Sequence, residues 1–324
     1  MPALDRRGRV PHAYAGPSPV TAPIRSDQPW LAPFLALAAM WGASFLCIKV
    51  ALDDLDPMGI VLGRILLGTV TLLALLAVRR ERLPRGRVWL HLAVLAVIGN
   101  ALPFAGFAYG ETHVSSVLAG IYNAATPLFT LVIAMAVLPD ERPTRQRLLG
   151  LTIGFVGVVI VLGPWRGLGG GALAGQLMCL GAALSYAVAF PYQRRFLAGR
   201  PESGAVLAAG QLLCATLIAS VLAPAVGDAP DGLGLDTVAS LLVLGALGTG
   251  VAYVLNYVVV RRAGATTAST VTYVIPVVAT VLGVVVLAEP LAWNQPVGGL
   301  VVLGGLALAQ GALRVGRRRA ALAD

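Results

Sequence analysis

Charge is what this chain has least of. Asp, Glu, Lys and Arg make up 12% of its 324 residues, about half the ~25% of a soluble domain. Reactive side chains are as scarce. The three histidines, at 12, 91 and 113, fall in the N-terminal tail or at the ends of apolar runs. Cys47, Cys179 and Cys214 stand singly inside apolar runs, without metal-ligand spacing, and are expected as small buried hydrophobes. All 15 Asp and Glu fall in tails, loops or the ends of apolar runs, none in the middle. These absences count against metal binding and against carboxylate chemistry within a membrane. No Ser/His/Asp or Cys/His arrangement is available, and "GLGGG" (167–171) lacks the Lys-Ser or Lys-Thr that would make it a phosphate cradle. No catalytic residue, metal or cofactor is expected.

Apolar surface is what the chain has in excess. Hydrophobic residues make up 57% of it and the mean hydropathy is +0.82. About 20 apolar residues cross a ~30 Å hydrocarbon core as a helix. Ten such runs are present, at 31–50, 57–78, 88–110, 114–138, 148–165, 171–191, 204–226, 237–260, 265–288 and 293–313. They are continuous rather than alternating, so the expected fold is an all-α integral membrane protein of ten transmembrane helices. Residues 1–29, rich in Pro, Ser and Arg with no apolar centre, read as a disordered cytoplasmic tail rather than a signal peptide. Residues 314–324 read as a basic cytoplasmic tail.

Basic residues mark cytoplasmic loops. With the N-terminus inside, the cytoplasmic tails and loops hold 21 of the 24 Lys and Arg, and the opposite loops hold one, Arg166. Both termini are therefore expected in the cytoplasm, as in a multi-pass protein of a bacterial inner membrane. The net charge of +9 is then a topology signal, and no nucleic-acid partner is expected. Trp30, Trp89, Trp165 and Trp293 fall at run ends, where interfacial aromatics belong.

The segment 163–175 divides the runs five and five. Gly99, Ala119 and Pro127 recur 149 residues on as Gly248, Ala268 and Pro276. Glu141, Gly150 and Gly157 recur 148 residues on as Glu289, Gly298 and Gly305, so the pattern E-x8-G-x6-G occurs twice. "GRILLGTV" (63–70) is similar to "GQLLCATL" (210–217). Five is odd, so the second repeat, 171–313, enters the membrane inverted relative to the first, 30–163. Inverted repeats place one central site within reach of both faces, often beside interrupted helices. Pro127 and Pro276 are the candidate kinks, each removing a backbone donor.

Polar groups within the runs need protein partners or a wet cavity. The set is Trp41, Ser44, Asn100, Tyr122, Asn123, Thr126, Tyr186, Gln211, Tyr253, Asn256, Tyr257, Thr272 and Tyr273. Packing by hydrogen bonds between helices would account for any one of them. Together they outline an aromatic and amide-lined cavity in runs 3, 4, 8 and 9. Arg64 stands inside "PMGIVLGRILLGTVTLLALLAV" (57–78), and must snorkel, bind free carbonyls or face a hydrated vestibule. Lys49 precedes Asp53 by four residues, and a snorkelled ion pair is the expectation.

"WGASFLCIKVAL" (41–52), "GRILLG" (63–68) and the two E-x8-G-x6-G blocks resemble the EamA-type family of the drug/metabolite transporter superfamily over about residues 30–313. The resemblance implies a secondary carrier of small organic molecules, often an exporter of amino acids or related metabolites, working by alternating access. Trp41, Lys49, Arg64, Pro127 and Pro276 are the positions that match the family pattern. Gln211 stands opposite Arg64, and run 6 has no Trp-Gly at its start, so the halves are not equivalent. The candidate substrate-binding residues are Trp41, Arg64, Asn100, Tyr122, Asn123, Tyr253, Asn256 and Tyr273, with a small-molecule substrate and the lipid bilayer as partners. A passive channel, a structural membrane subunit and an intramembrane lipid-modifying enzyme are the alternatives.

Overall fold

The computed structural model describes residues 30–137, 144–166, 171–197, 200–227, 232–269 and 271–311. Both expected tails and Glu141 lie outside the described residues. Within them the chain forms ten spans, as two inverted five-helix repeats. The first repeat holds α1 (Leu31–Ala51), α2 (Pro57–Arg79), α3 (Val88–Glu111), α4 (Ser116–Val137) and α5 (Arg145–Leu162). The second holds α6 (Gly171–Leu197), α7 (Gly204–Val226), α8 (Leu235–Val259 as its apolar part), α9 (Val271–Leu287) and α10 (Asn294–Ala309). Eight spans have 18 residues or more, while α9 and α10 are shorter than the sequence runs that contain them. Helix continues beyond α8 to Ser269, past the expected end at 260. Loss of apolar character marks the edge of the bilayer, not the end of a helix, and no proline lies between Ala252 and Ile275 to stop one.

Local chemistry sets the starts of the spans. The Asp56 carboxylate accepts from the amides of Met58 and Gly59, with Pro57 at the first helical position of α2. Ser115, Thr144 and Ser203 cap α4, α5 and α7 with their hydroxyls. Gly234, before α8, has no side chain with which to cap. Asp54, in the α1–α2 turn, supplies the acceptor instead, taking hydrogen bonds from the Gly234 amide at 2.7 Å and the Thr237 hydroxyl at 2.6 Å. The Thr237 hydroxyl and the Gly234 amide hold the Asp54 carboxyl below the usual carboxylate range. The α1–α2, α3–α4, α7–α8 and α9–α10 turns share one face with Trp165 of the α5–α6 linker, which stacks on Trp293 at 5.8 Å. We call this the linker face.

Packing follows the repeat. Helices α2 and α7 pack on one another, as do α5 and α10. The α1–α9 contact is matched by α6–α4, the α2–α8 contact by α7–α3, and the α1–α8 contact by α6–α3. Each is what a pseudo-twofold axis in the membrane plane requires. Two features fix the axis. The Thr69 and Thr216 hydroxyls, which occupy the same position in the two repeats, hydrogen-bond to each other at 2.8 Å. The glycines of the duplicated E-x8-G-x6-G pattern meet reciprocally across α5 and α10. A Cβ on Gly157 would lie 2.8 Å from the Gly298 carbonyl oxygen, and one on Gly298 the same distance from that of Gly157. Gly150 and Gly305 repeat the arrangement. In hydrocarbon, helix association depends on close contact rather than water exclusion, so small residues at the crossing bring the backbones together.

Gly157→Val is therefore expected to overpack this crossing, at a cost on the order of 1–3 kcal/mol. Gly304→Ala, on the same helix as Gly298 but with nothing within 4 Å of its Cβ direction, is expected to be neutral. Thermal unfolding of the two purified variants, followed by size-exclusion profile, separates them.

Candidate functional site

Both repeats carry a helical irregularity at matching places. In α3, residues Val97–Ala101 form a π-segment that includes Gly99. In α8, residues Val243–Val251 form another that includes Gly248, the repeat equivalent of Gly99. A π-segment widens the backbone spiral and turns side chains out of α-helical register, and such segments cluster at functional sites. Here they present Asn100 and Thr249, which are 149 residues apart and occupy the same place in the two repeats.

Each contacts the other repeat. Arg64, on α2 and 8% exposed, donates through Nε to the Thr249 hydroxyl at 3.1 Å. Thr249 donates onward to the Leu244 carbonyl at 2.9 Å, which orients its lone pairs toward the guanidinium. Gln211, the counterpart of Arg64 on α7, donates through Nε2 to Asn100 Oδ1 at 2.6 Å. The two hydrogen bonds are thus the same contact made twice, once with a guanidinium and once with an amide. Asn100, fully buried, also donates to the Tyr253 hydroxyl at 3.3 Å. The Arg64 guanidinium lies 3.9 Å from the centre of the Phe104 ring, a cation–π contact strengthened by desolvation. Phe104 in turn meets Tyr186 edge to face at 6.5 Å, and Tyr186 lies 6.3 Å from Phe107. The result is a desolvated cluster from α2, α3, α6, α7 and α8, with one fixed positive charge.

Several sequence-derived candidates converge here and others do not. Arg64, Asn100 and Tyr253 are joined in the cluster. Trp41 and Asn256 are half-buried on α1 and α8, helices that pack together. Tyr122 is buried in α4, its hydroxyl without a hydrogen-bond partner among the described residues. Asn123 accepts locally from the Thr126 hydroxyl at 3.5 Å. Tyr273 points away from the cluster and donates to Gln310 at 2.7 Å. At Pro127 the span is broken: helix stops at Asn123 and restarts at Thr126. At Pro276 the helix runs on from Val271 to Leu287. The Lys49–Asp53 ion pair is not formed. Helix α1 ends at Ala51, so Asp53 is off the helical face that i,i+4 pairing needs. The Lys49 ammonium donates instead to the carbonyls of Glu111 at 2.6 Å and Val114 at 3.1 Å, at the negative end of α3.

A single Thr in an apolar run is unremarkable, so Thr249 does not stand out in the sequence. The 149-residue offset that paired Gly99 with Gly248 also pairs Asn100 with Thr249, and would have found it. The polar contacts at the linker face have no such signal in the sequence. Glu289 sends its carboxylate into the first repeat, where it accepts from the Ser116 amide at 2.8 Å, the Ser116 hydroxyl at 3.0 Å and the Val117 amide at 3.0 Å. The turn that aims it places Ala288 in left-handed conformation, φ 51°, a strained position for a residue with a side chain.

A family model described as "EamA-like transporter family" matches residues 28–163 and 173–310. An "Uncharacterized transporter" of Archaeoglobus fulgidus is 26% identical over 85% of this chain and 95% of its own length. A protein of Salmonella typhimurium named "Probable amino-acid metabolite efflux pump" is 26% identical over 84% of this chain and 92% of its own. A solved structure titled "Crystal structure of protein" superposes with a TM-score of 0.64 at 18% identity, covering 89% of this chain and 99% of that one. It bears on the fold alone.

Thr249→Val keeps the shape at that site and removes the acceptor of Arg64. Leaving a buried guanidinium short of a partner is expected to lower stability by about 1–3 kcal/mol. Gln211→Leu removes the symmetry-related bond but strands only neutral groups, and is expected to cost less. Melting temperatures of the two variants in one detergent test the order.

Proposed function

This chain belongs to the EamA-like transporter family, and from that premise we propose that it is a secondary transporter exporting small organic metabolites, such as amino acids or related compounds, by alternating access. The observation that carries the reading is the pair of repeat-related hydrogen bonds, Arg64–Thr249 and Gln211–Asn100. A site built on both repeats at equivalent positions can be opened from either face by moving one repeat against the other. The Salmonella relative's printed name supports amino-acid metabolites as the solute class. The basic-residue bias of the sequence supports a bacterial inner membrane, with both termini cytoplasmic and the linker face outside.

Arg64 sets the charge preference. Its hydrogen bond runs through Nε and its face rests on Phe104. Among the described residues the two terminal nitrogens make no hydrogen bond, and a carboxylate fits that edge of the fork in a bidentate pair. Trp41, Asn100, Tyr253 and Asn256 supply the neutral wall; Tyr122, Asn123 and Tyr273 belong to the outer reaches of the path in α4 and α9. Pro127 and Pro276 mark where α4 and α9 bend as the path opens.

Counterflow of labelled amino acids into proteoliposomes tests the function: saturable exchange is expected, and linear, non-saturating flux would leave a channel. In the same assay Arg64→Lys keeps the charge but loses the planar fork. It is expected to weaken apparent affinity for carboxylate-bearing solutes about tenfold, or ~1.4 kcal/mol, with folded yield retained. Intact transport by Arg64→Lys beside loss of folded protein in Arg64→Gln would make the residue structural. Pro127→Ala and Pro276→Ala are expected to slow exchange more than they lower yield. For orientation, a membrane-impermeant thiol reagent is expected to label Gly169→Cys in intact cells and spare Arg82→Cys.

A further inference from the structure

The carboxyl group of Glu111, the last residue of α3, is used neither by the fold nor by the proposed site. Its side chain is fully buried, and both carboxyl oxygens are without a hydrogen-bond partner among the described residues. The groups around it have other commitments. Lys49, from α1, gives its ammonium to the carbonyls of Glu111 and Val114. Glu289, from the α9–α10 turn, gives its carboxylate to the start of α4. Arg64, from α2, donates to Thr249. Cys47 of α1 and Cys179 of α6 are within electrostatic reach, and the Cys179 sulfur packs against Gly110. His113, in the α3–α4 turn, bonds Thr112 and the Tyr109 carbonyl.

A bare carboxylate in that shell would give up the hydrogen bonds of water and gain none, a loss that a neutral carboxylic acid largely avoids. The setting also gives protonation a consequence. Lys49 caps the end of α3 and Glu289 caps the start of α4, so the turn between them, 112–115, is clamped by a cation from one repeat and an anion from the other. A Cβ on Gly283 would fall 2.8 Å from Glu289 Oε2, so glycine there makes room for the anionic half.

We infer that Glu111 is a proton-binding site, occupied in the arrangement described here, whose proton release unlocks the linker face. In that step the O–H bond of the acid breaks, its electron pair stays on the carboxylate, and the proton passes to water at the linker face. The Lys49 ammonium leaves the two carbonyls for the new carboxylate, and the end of α3 loses its hold. Closing takes up one proton from the same side. The unlocking rests on the transporter reading above; the proton site does not.

Two measurements on the purified full-length protein test this. Infrared spectra taken at about pH 7, where an ordinary glutamic acid (~4.3) is ionised, are expected to contain a neutral carboxylic-acid C=O band. Glu111→Gln is expected to remove that band and Glu111→Asp to shift it. Superimposable spectra overturn the proton site, and Glu111→Asp carries the comparison if Glu111→Gln does not fold. The second measurement uses Cys179 as a native reporter, in a Cys47→Ala/Cys214→Ala background. Its reaction with a disulfide reagent at about pH 8 is expected to be several-fold slower with Glu111→Gln than with Glu111, and equal at about pH 6. Equal rates at both overturn the unlocking. A neutral-acid band in a protein that fails counterflow retires the transporter reading alone; counterflow without the band retires this inference alone.

Discussion

A guanidinium placed in a hydrocarbon slab cannot be left to water, and much of the centre of this molecule is arranged around that fact. Arg64 finds its acceptor on the other repeat, at Thr249, and its aromatic cover on its own repeat, at Phe104. Because Thr249 is presented by a π-segment, the acceptor depends on an irregularity in α8. The matching irregularity in α3 presents Asn100 to Gln211. One solvation problem, met across the repeat boundary, therefore accounts for two hydrogen bonds and gives two distorted helices a use. Both repeats have to be present for either to satisfy its own polar groups.

The scaffold behind the cluster is built differently. At α5 and α10 glycines let the backbones touch and dispersion acts over the close crossing, while side-chain amides tie the two ends of the pair, Asn294 to the carbonyls of Ile160 and Val161 and Gln146 to that of Leu308. The two crossings on the axis are complementary in character. The α2–α7 crossing carries a hydroxyl pair and lies beside the polar cluster, whereas the α5–α10 crossing is lined by glycines and keeps its side-chain hydrogen bonds at its two ends. Polar contacts that exchange partners readily sit where movement has been proposed, and close backbone contact sits where the halves are held.

The architecture was legible in the sequence because the constraints that set it are one-dimensional. Hydrocarbon thickness fixes run length, and duplication leaves residues at a constant offset. Even the glycine crossing was present as a twice-repeated spacing, though nothing in the spacing said the two copies would meet. Partnerships were less legible. Lys49 had an acid four residues away in sequence but a free helix end nearer in space. Tyr273 and Asn100 looked alike as polar residues in apolar runs, yet one bonds to the end of α10 and the other to the centre. Which face of a span a residue occupies was shifted by the π-segments, and no local sequence signal announces those. The acids lie at run ends, but a run end can be enclosed by the neighbouring repeat, as Glu111 is.

The substitution of Gln211 for an arginine on one side of the axis has a consequence for direction. In a carrier whose repeats trade conformations, perfect duplication would make the two end states mirror images of equal energy. Here the Arg64 arm carries a full charge and an aromatic lid while the Gln211 arm carries an amide, so in such a carrier the two states would differ in the work needed to reach them. On the alternating-access reading proposed above, such a carrier would rest unevenly between its two openings even with no solute gradient and no energy source, and Gln211 on α7 is the place to tune that bias.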